Sequence, residues 1–106
     1  MTKTDIYIGL NDQDTKTQKF EITKYVSILK KVCVSYKAPF SVHRIEGGYL
    51  HESGEYTEEN TLVLSLTGVD RDVIREIATD LCVFFHQESV LVTESEVRAY
   101  SIRAGL

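Results

Sequence analysis

Residues 84–92 read FFHQESVLV. Four polar residues, His86, Gln87, Glu88 and Ser89, stand in a row between an apolar helical pattern and an apolar strand pattern. An imidazole near a carboxylate, His86 with Glu88 or Glu52, has the composition of a general acid/base pair, and Ser89 offers a nucleophilic or binding hydroxyl. Neighbours in sequence do not make a triad by adjacency, because the base must reach the nucleophile in space. The same four residues also suit a helix C-terminus. There His86 would meet the negative end of the helix dipole, and Gln87 or Ser89 would satisfy loose carbonyls. A third role has Gln87 hydrogen-bonding the neighbouring hairpin. The helix terminus is the expectation, and no residue is assigned a catalytic role.

Other residues offer weaker chemistry. His43, His51 and His86 could join Glu46, Glu52 or Glu55 around a metal, but their spacing matches no zinc or iron signature, so no metal and no cofactor is expected. Gly47-Gly48 is followed by no helix N-terminus, which excludes a phosphate loop and leaves a bulge or bend in a strand. Gly9 is more pointed: a glycine inside a strand leaves room for a backbone, a large side chain or a ligand. With Tyr7 beside it and Ser65 on the same sheet face, it marks a candidate ligand surface. Arg44 and Arg98 are the donors expected for a small anionic ligand. Tyr49, Glu52, Glu55 and Tyr56 bracket an acidic turn that would suit a protein partner.

These candidates have to be carried by one small domain. The chain has 106 residues, 42% apolar and 26% charged, which fits a single folded domain over 1–106 without metal or disulfide staples. A net charge of −4 disfavours non-specific binding to nucleic acid, which needs a basic surface. The opening MTKTDIYIGL lacks the apolar core and cleavage site of an export signal, and no run reaches the roughly 18 residues of a membrane span, so a cytoplasmic location is expected. Cys33 and Cys82 fall in apolar helical patterns and read as buried thiols.

Alternation sets the strands and three-to-four spacing the helices. Residues 4–10 alternate around Ile6, Ile8 and Leu10. Residues 11–19 contain no apolar side chain and read as an exposed, mobile loop. Ile22, Tyr25, Val26, Leu29, Val32, Cys33 and Tyr36 recur on one face of a helix that Ala38-Pro39 ends. Residues 40–45 form a second strand, with a hairpin after it. Leu62, Leu64 and Leu66 alternate in a third. Asp70 caps a second helix whose stripe is Val73, Ile74, Ile77, Leu81 and Phe84, and residues 89–93 make a fourth strand that 94–102 extends or follows with a fifth. The order strand, helix, strand, strand, helix, strand predicts an α+β, ferredoxin-like βαββαβ sandwich: an antiparallel sheet with both helices on one face, and a possible C-terminal strand extension. Ile6, Ile8, Leu62, Leu64, Leu66, Val90 and Val92 would face the helices. Tyr7, Gly9, Val63, Ser65, Leu91 and Thr93 would form the open face.

Three places carry a resemblance: Tyr7-Ile8-Gly9-Leu10 before a polar loop; Gly48-Tyr49 with Gly54 running into Glu59 and the strand through Leu62; and Phe85, Gln87, Ser89 and Val90 in an F-x-Q-x-S-V run. Together they resemble an uncharacterised family of small bacterial proteins, a domain of unknown function. The resemblance implies a ferredoxin-like fold and no activity.

The expected function is therefore a non-enzymatic binding module, a homo-oligomer that uses its open sheet face or subunit junction for a small ligand or partner. An alternative is a virus-encoded inhibitor of a host defence protein acting through the acidic hairpin. A second alternative is a small dimeric enzyme of the same shape with His86 or His43 as base.

Overall fold

A computed structural model describes residues 1–50 and 52–105, the Tyr49 side chain excepted. The elements are β1 (Thr2–Gly9), α1 (Ile22–Ser35), β2 (Ser41–Leu50), β3 (Tyr56–Thr67), α2 (Arg71–Phe84) and β4 (Leu91–Glu96). The sheet order is β2-β3-β1-β4 and each neighbouring pair is antiparallel. β1 and β2 therefore run parallel with β3 between them, and β3 and β4 run parallel with β1 between them. Two βαβ crossovers are interleaved, which is the predicted ferredoxin-like arrangement.

Both helices cover one face. Ile6, Ile8, Leu62, Leu64 and Leu66 are buried against Tyr25, Leu29, Cys33, Ile74, Ile77 and Leu81. Each such aliphatic side chain contributes about 1.5–3 kcal/mol by leaving water. Val90 packs at the margin of this core, whereas Val92 on the edge strand β4 remains 39% exposed. Phe84 points outward. Phe85, just past the end of α2, turns inward with its ring centroid 5.1 Å from that of Tyr25. Cys33 and Cys82 are free thiols, the first buried and the second half-buried; burial pushes the Cys33 thiol up to about 11.

Two local expectations need correction and one open alternative is resolved. Gly47 and Gly48 form no bulge, because β2 pairs through them in unbroken register with Glu59 and Glu58. A Cβ on Gly47 would lie 2.8 Å from the Thr61 hydroxyl, so this glycine makes room for a cross-strand neighbour. The hairpin is longer than expected, since β3 begins at Tyr56, and β1 pairs with β3 only as far as Thr61. The hairpin thus projects beyond β1. The fourth strand starts at Leu91 and runs to Glu96, which makes residues 94–96 an extension of β4; no fifth strand follows among the described residues. No helix among the described residues is long and apolar enough to cross a membrane.

Candidate functional site

The last residues of β1, the near half of β3 and the loop from α2 to β4 converge at one end of the open face. α2 reaches this point through its C-terminal turn. The Gln87 N–H donates to the Cys82 carbonyl (2.9 Å) and the His86 N–H to that of Val83 (3.3 Å), with His86 left-handed at φ 51°. This 6→1 and 5→2 pair is the Schellman closure, here with histidine where glycine is usual. The helix terminus expected at His86 is present. Its carbonyls, however, are satisfied by backbone N–H groups, which frees the side chains for other contacts.

Those side chains grip the loop after β1. The Gln87 amide donates to the Asn11 carbonyl, and the His86 carbonyl accepts from the Gln13 N–H at 3.1 Å. His86 Nδ1 lies 2.6 Å from Asp12 Oδ2, to which Lys19 also reaches at 3.3 Å. Asp12 Oδ1 accepts the N–H groups of Asp14 and Thr15 at 2.8 and 3.1 Å. Asp12 is only 4% exposed. Burial pushes its carboxyl up, but the hydrogen bonds from His86, the Asp14 and Thr15 amides and Lys19 outweigh this and hold it well below the usual carboxylate range. An ionised Asp12 only accepts, which makes His86 Nδ1 the donor. Residues 11–19, expected to be exposed and mobile, are thus pinned to the end of α2.

Asp12, Asp14 and His86 also bring their ligand atoms within 4.8 Å of one another, with Asp14 Oδ2 3.3 Å from His86 Nε2. This is the nearest approach to a metal cluster among the described residues. An ion there would have to displace donors that Asp12 already holds. His51, one of the histidines weighed as a ligand, lies outside the described residues.

The other anchor is Glu59. A Cβ built on Gly9 would fall 2.3–2.6 Å from the Glu59 carboxyl atoms, so the missing side chain at Gly9 is the space this carboxylate occupies. Glu59 Oε2 accepts the Asn11 N–H at 3.0 Å. One residue, Asn11, therefore braces both groups: its N–H holds Glu59 and its carbonyl holds Gln87. Around them lies a hollow of about 340 Å³ on the open face, floored by Tyr7, Gly9, Ile45, Leu91 and Ser89. A second hollow of about 610 Å³ adjoins it and shares Glu59, Gln87 and Ser89, with Asp12, Glu55 and Glu88 also in its wall. Among the described residues, Lys16 is the single basic side chain lining either hollow.

The expected site residues scatter more than the sequence suggested. Tyr7 and Gly9 line the smaller hollow and Glu55 the larger. Ser65 does not line them; its hydroxyl donates to Asp5 at 2.6 Å in the neighbouring strand. Arg44 pairs across the sheet with Leu62, on the helix side, and reaches Asn60 at 3.5 Å. Arg98 follows β4, which runs from Leu91 opposite Tyr7 to Glu96 opposite Thr2, so it departs from the far end of the sheet. Neither arginine lines the hollow, which is acidic. Glu52 and Tyr56 are exposed on the hairpin, and the Tyr49 side chain lies outside the described residues. Glu59, Asn11 and Asp12 are new. The signal for Glu59 was Gly9 and Gly47, which flank it once the strands are in register.

A model for the family described as "Protein of unknown function (DUF3574)" matches residues 3–100. No curated protein matches the sequence. Among solved structures, the chain is similar to a phage SAM lyase in complex with S-methyl-5'-thioadenosine, with TM-score 0.69 and 23% identity over 90% of this chain and 80% of that one. It is also similar to the B. subtilis GlnK–ATP complex, with TM-score 0.55 and 14% identity over 89% and 80%. The periplasmic divalent cation tolerance protein CutA from Archaeoglobus fulgidus gives TM-score 0.55 and 14% identity over 93% and 87%. At these identities the likeness shows the fold.

Proposed function

For this chain, which belongs to the DUF3574 family of proteins of unknown function, we propose a binding module: a homo-oligomer that holds a small cationic nucleoside, of the sulfonium class to which SAM belongs, in the hollow beside Gly9, Glu59 and Gln87. The observation that carries this is the Glu59 carboxylate laid over Gly9 and fixed by the Asn11 N–H. A carboxylate on a partly apolar floor attracts a cation or accepts hydrogen bonds from sugar hydroxyls, and it repels phosphate. Glu55 and Glu88 in the adjoining wall act in the same sense. Tyr7, Leu91 and Ile45 offer apolar surface for a base, and Gln87 and Ser89 offer polar edges. Small-molecule sites span about 300–1,000 Å³, a range that includes this hollow. The phage SAM lyase of similar fold is bound to S-methyl-5'-thioadenosine, an uncharged thioether nucleoside, which supports the nucleoside part of this choice; the sulfonium part rests on the carboxylates. The hollow is open on one side, and a second copy is the simplest cover.

A second function for the same hollow is cleavage, favoured by the lyase activity of that structural relative. Release of S-methyl-5'-thioadenosine from SAM, followed by mass spectrometry, separates turnover from binding. For the primary proposal, calorimetric titration with SAM and with S-methyl-5'-thioadenosine should show saturable binding. Glu59→Gln should weaken the affinity for SAM by at least about tenfold, or 1.4 kcal/mol. Absence of binding by the wild-type chain at millimolar ligand would remove the proposal.

A further inference from the structure

The two ends of the molecule carry complementary arms. The hairpin projects beyond β1 at the end where the hollow lies, and residues 97–105 leave the sheet from the opposite end, beside Thr2. The chain is 56 Å long and only 25–26 Å across. No Lys or Arg occurs between Arg44 and Arg71, while Glu46, Glu52, Glu55 and Glu58 fall on or beside the hairpin arm. Segment 97–105 holds Arg98 and Arg103 and no acidic residue. The acids just before it are engaged, Glu94 with Arg71 at 2.9 Å and Glu96 with the Thr2 hydroxyl at 2.6 Å. Both arms also show apolar surface: Tyr56 is 74% exposed on the hairpin, and Tyr100 and Ile102 are 84% and 86% exposed on the segment.

We infer that segment 97–105 of one copy packs against the acidic hairpin of a second copy and covers that copy's hollow, with Tyr100 as the side chain delivered to it. This rests on the binding proposal above. Opposite charge steers the two arms together and fixes their pairing. An exposed tyrosine and isoleucine on a segment outside the sheet are suited to filling an apolar gap. The exposure of Tyr100 and Ile102 shows that they do not pack on their own sheet, which leaves both side chains available to a second copy. Joining one end of each copy to the other end of the next is a heterologous contact, which closes into a ring when the rotation permits. The site is then completed by two chains, with Glu59 and Gln87 from one and Tyr100 from the other.

The test is charge reversal in the full chain, read by sedimentation velocity and by titration with S-methyl-5'-thioadenosine. Arg98→Glu with Arg103→Glu should dissociate the oligomer and weaken ligand binding about tenfold. Adding Glu52→Arg and Glu58→Arg to the same chain should restore both. A benzophenone side chain placed at position 100 should crosslink, in a mixture of isotopically light and heavy chains, between chains and to peptides containing residues 52–59. Full assembly and unchanged affinity in the chain carrying Arg98→Glu and Arg103→Glu would overturn the inference and leave the binding proposal standing. Assembly that depends on the arginines, in a chain that binds neither nucleoside, would support the contact and reject its role as a cover. A monomeric wild type at about 0.1 mM would overturn the inference outright.

Discussion

At the end of α1, Lys37 is left-handed at φ 54°, its N–H donates to the Val34 carbonyl, and the Ala38 N–H donates to that of Cys33. At the end of α2, His86 is left-handed at φ 51°, its N–H donates to the Val83 carbonyl, and the Gln87 N–H donates to that of Cys82. The two closures match bond for bond and differ in what the side chains do. Lys37 is exposed and Ala38 is buried before Pro39, so the α1 end only reverses the chain. Among the described residues, its one side-chain hydrogen bond to another element runs within the helical layer: the Tyr36 hydroxyl donates to Asp80 at 2.7 Å, a bond that pushes the phenol up to about 12. At the α2 end the corresponding positions carry His86, which engages Asp12, and Gln87, which holds Asn11. One backbone device serves twice, and only at α2 do the side chains placed on it join the proposed site.

The comparison can be broken most strongly at Gln87. Gln87→Ala should leave the helix closure intact, release the Asn11 carbonyl, and lower affinity for S-methyl-5'-thioadenosine about tenfold by calorimetry. At the equivalent position of the other helix, Ala38→Gly should lower stability without changing affinity. A smaller and more diagnostic effect is expected from glycine at the left-handed positions. Lys37→Gly removes the steric cost of a side chain at positive φ and should raise stability by about 1 kcal/mol, near 4–8 °C in melting temperature. His86→Gly gains the same relief but loses the bond to Asp12. It should speed amide exchange across residues 11–19 and weaken ligand binding severalfold. If both glycine variants behave alike, the two ends are equivalent and the distinction fails.

The smallest effect is in pH. The Asp12 carboxyl is held below its ordinary value in the folded chain, so its contribution to stability is complete above its unfolded value, near pH 3.9, and is lost as pH falls below it. Protection of residues 11–19 should decline as pH falls below about 4. The wild type and Asp12→Asn should therefore converge in stability at low pH and diverge above it. The closure at Lys37 should show no such dependence.

The outline of this molecule was legible because alternation at Ile6, Ile8 and Leu10 and at Leu62, Leu64 and Leu66 leaves each strand a single way to face the helices. The site was less so. Glu59 sits in a polar run, Thr57 to Asn60, with nothing local to distinguish it from Glu58. Its role arises from a register that places it beside Gly9 and Gly47, and register depends on partners 12 and 50 residues away. Asp12 lies in a loop without apolar residues and reads as solvated, yet it is buried by donors from its own turn and from His86, 74 residues on. Gly9 was a visible pointer. What it made room for was a side chain of the same protein, and that side chain, in turn, faces the hollow.

The most direct test is amide chemical-shift mapping during titration with SAM. The largest perturbations should fall at Gly9, Asn11, Glu59, Gln87 and Ser89, with the Lys37–Ala38 closure silent. Perturbations centred on the end of α1, or none anywhere at saturating ligand, would contradict the assignment of this hollow as the binding site.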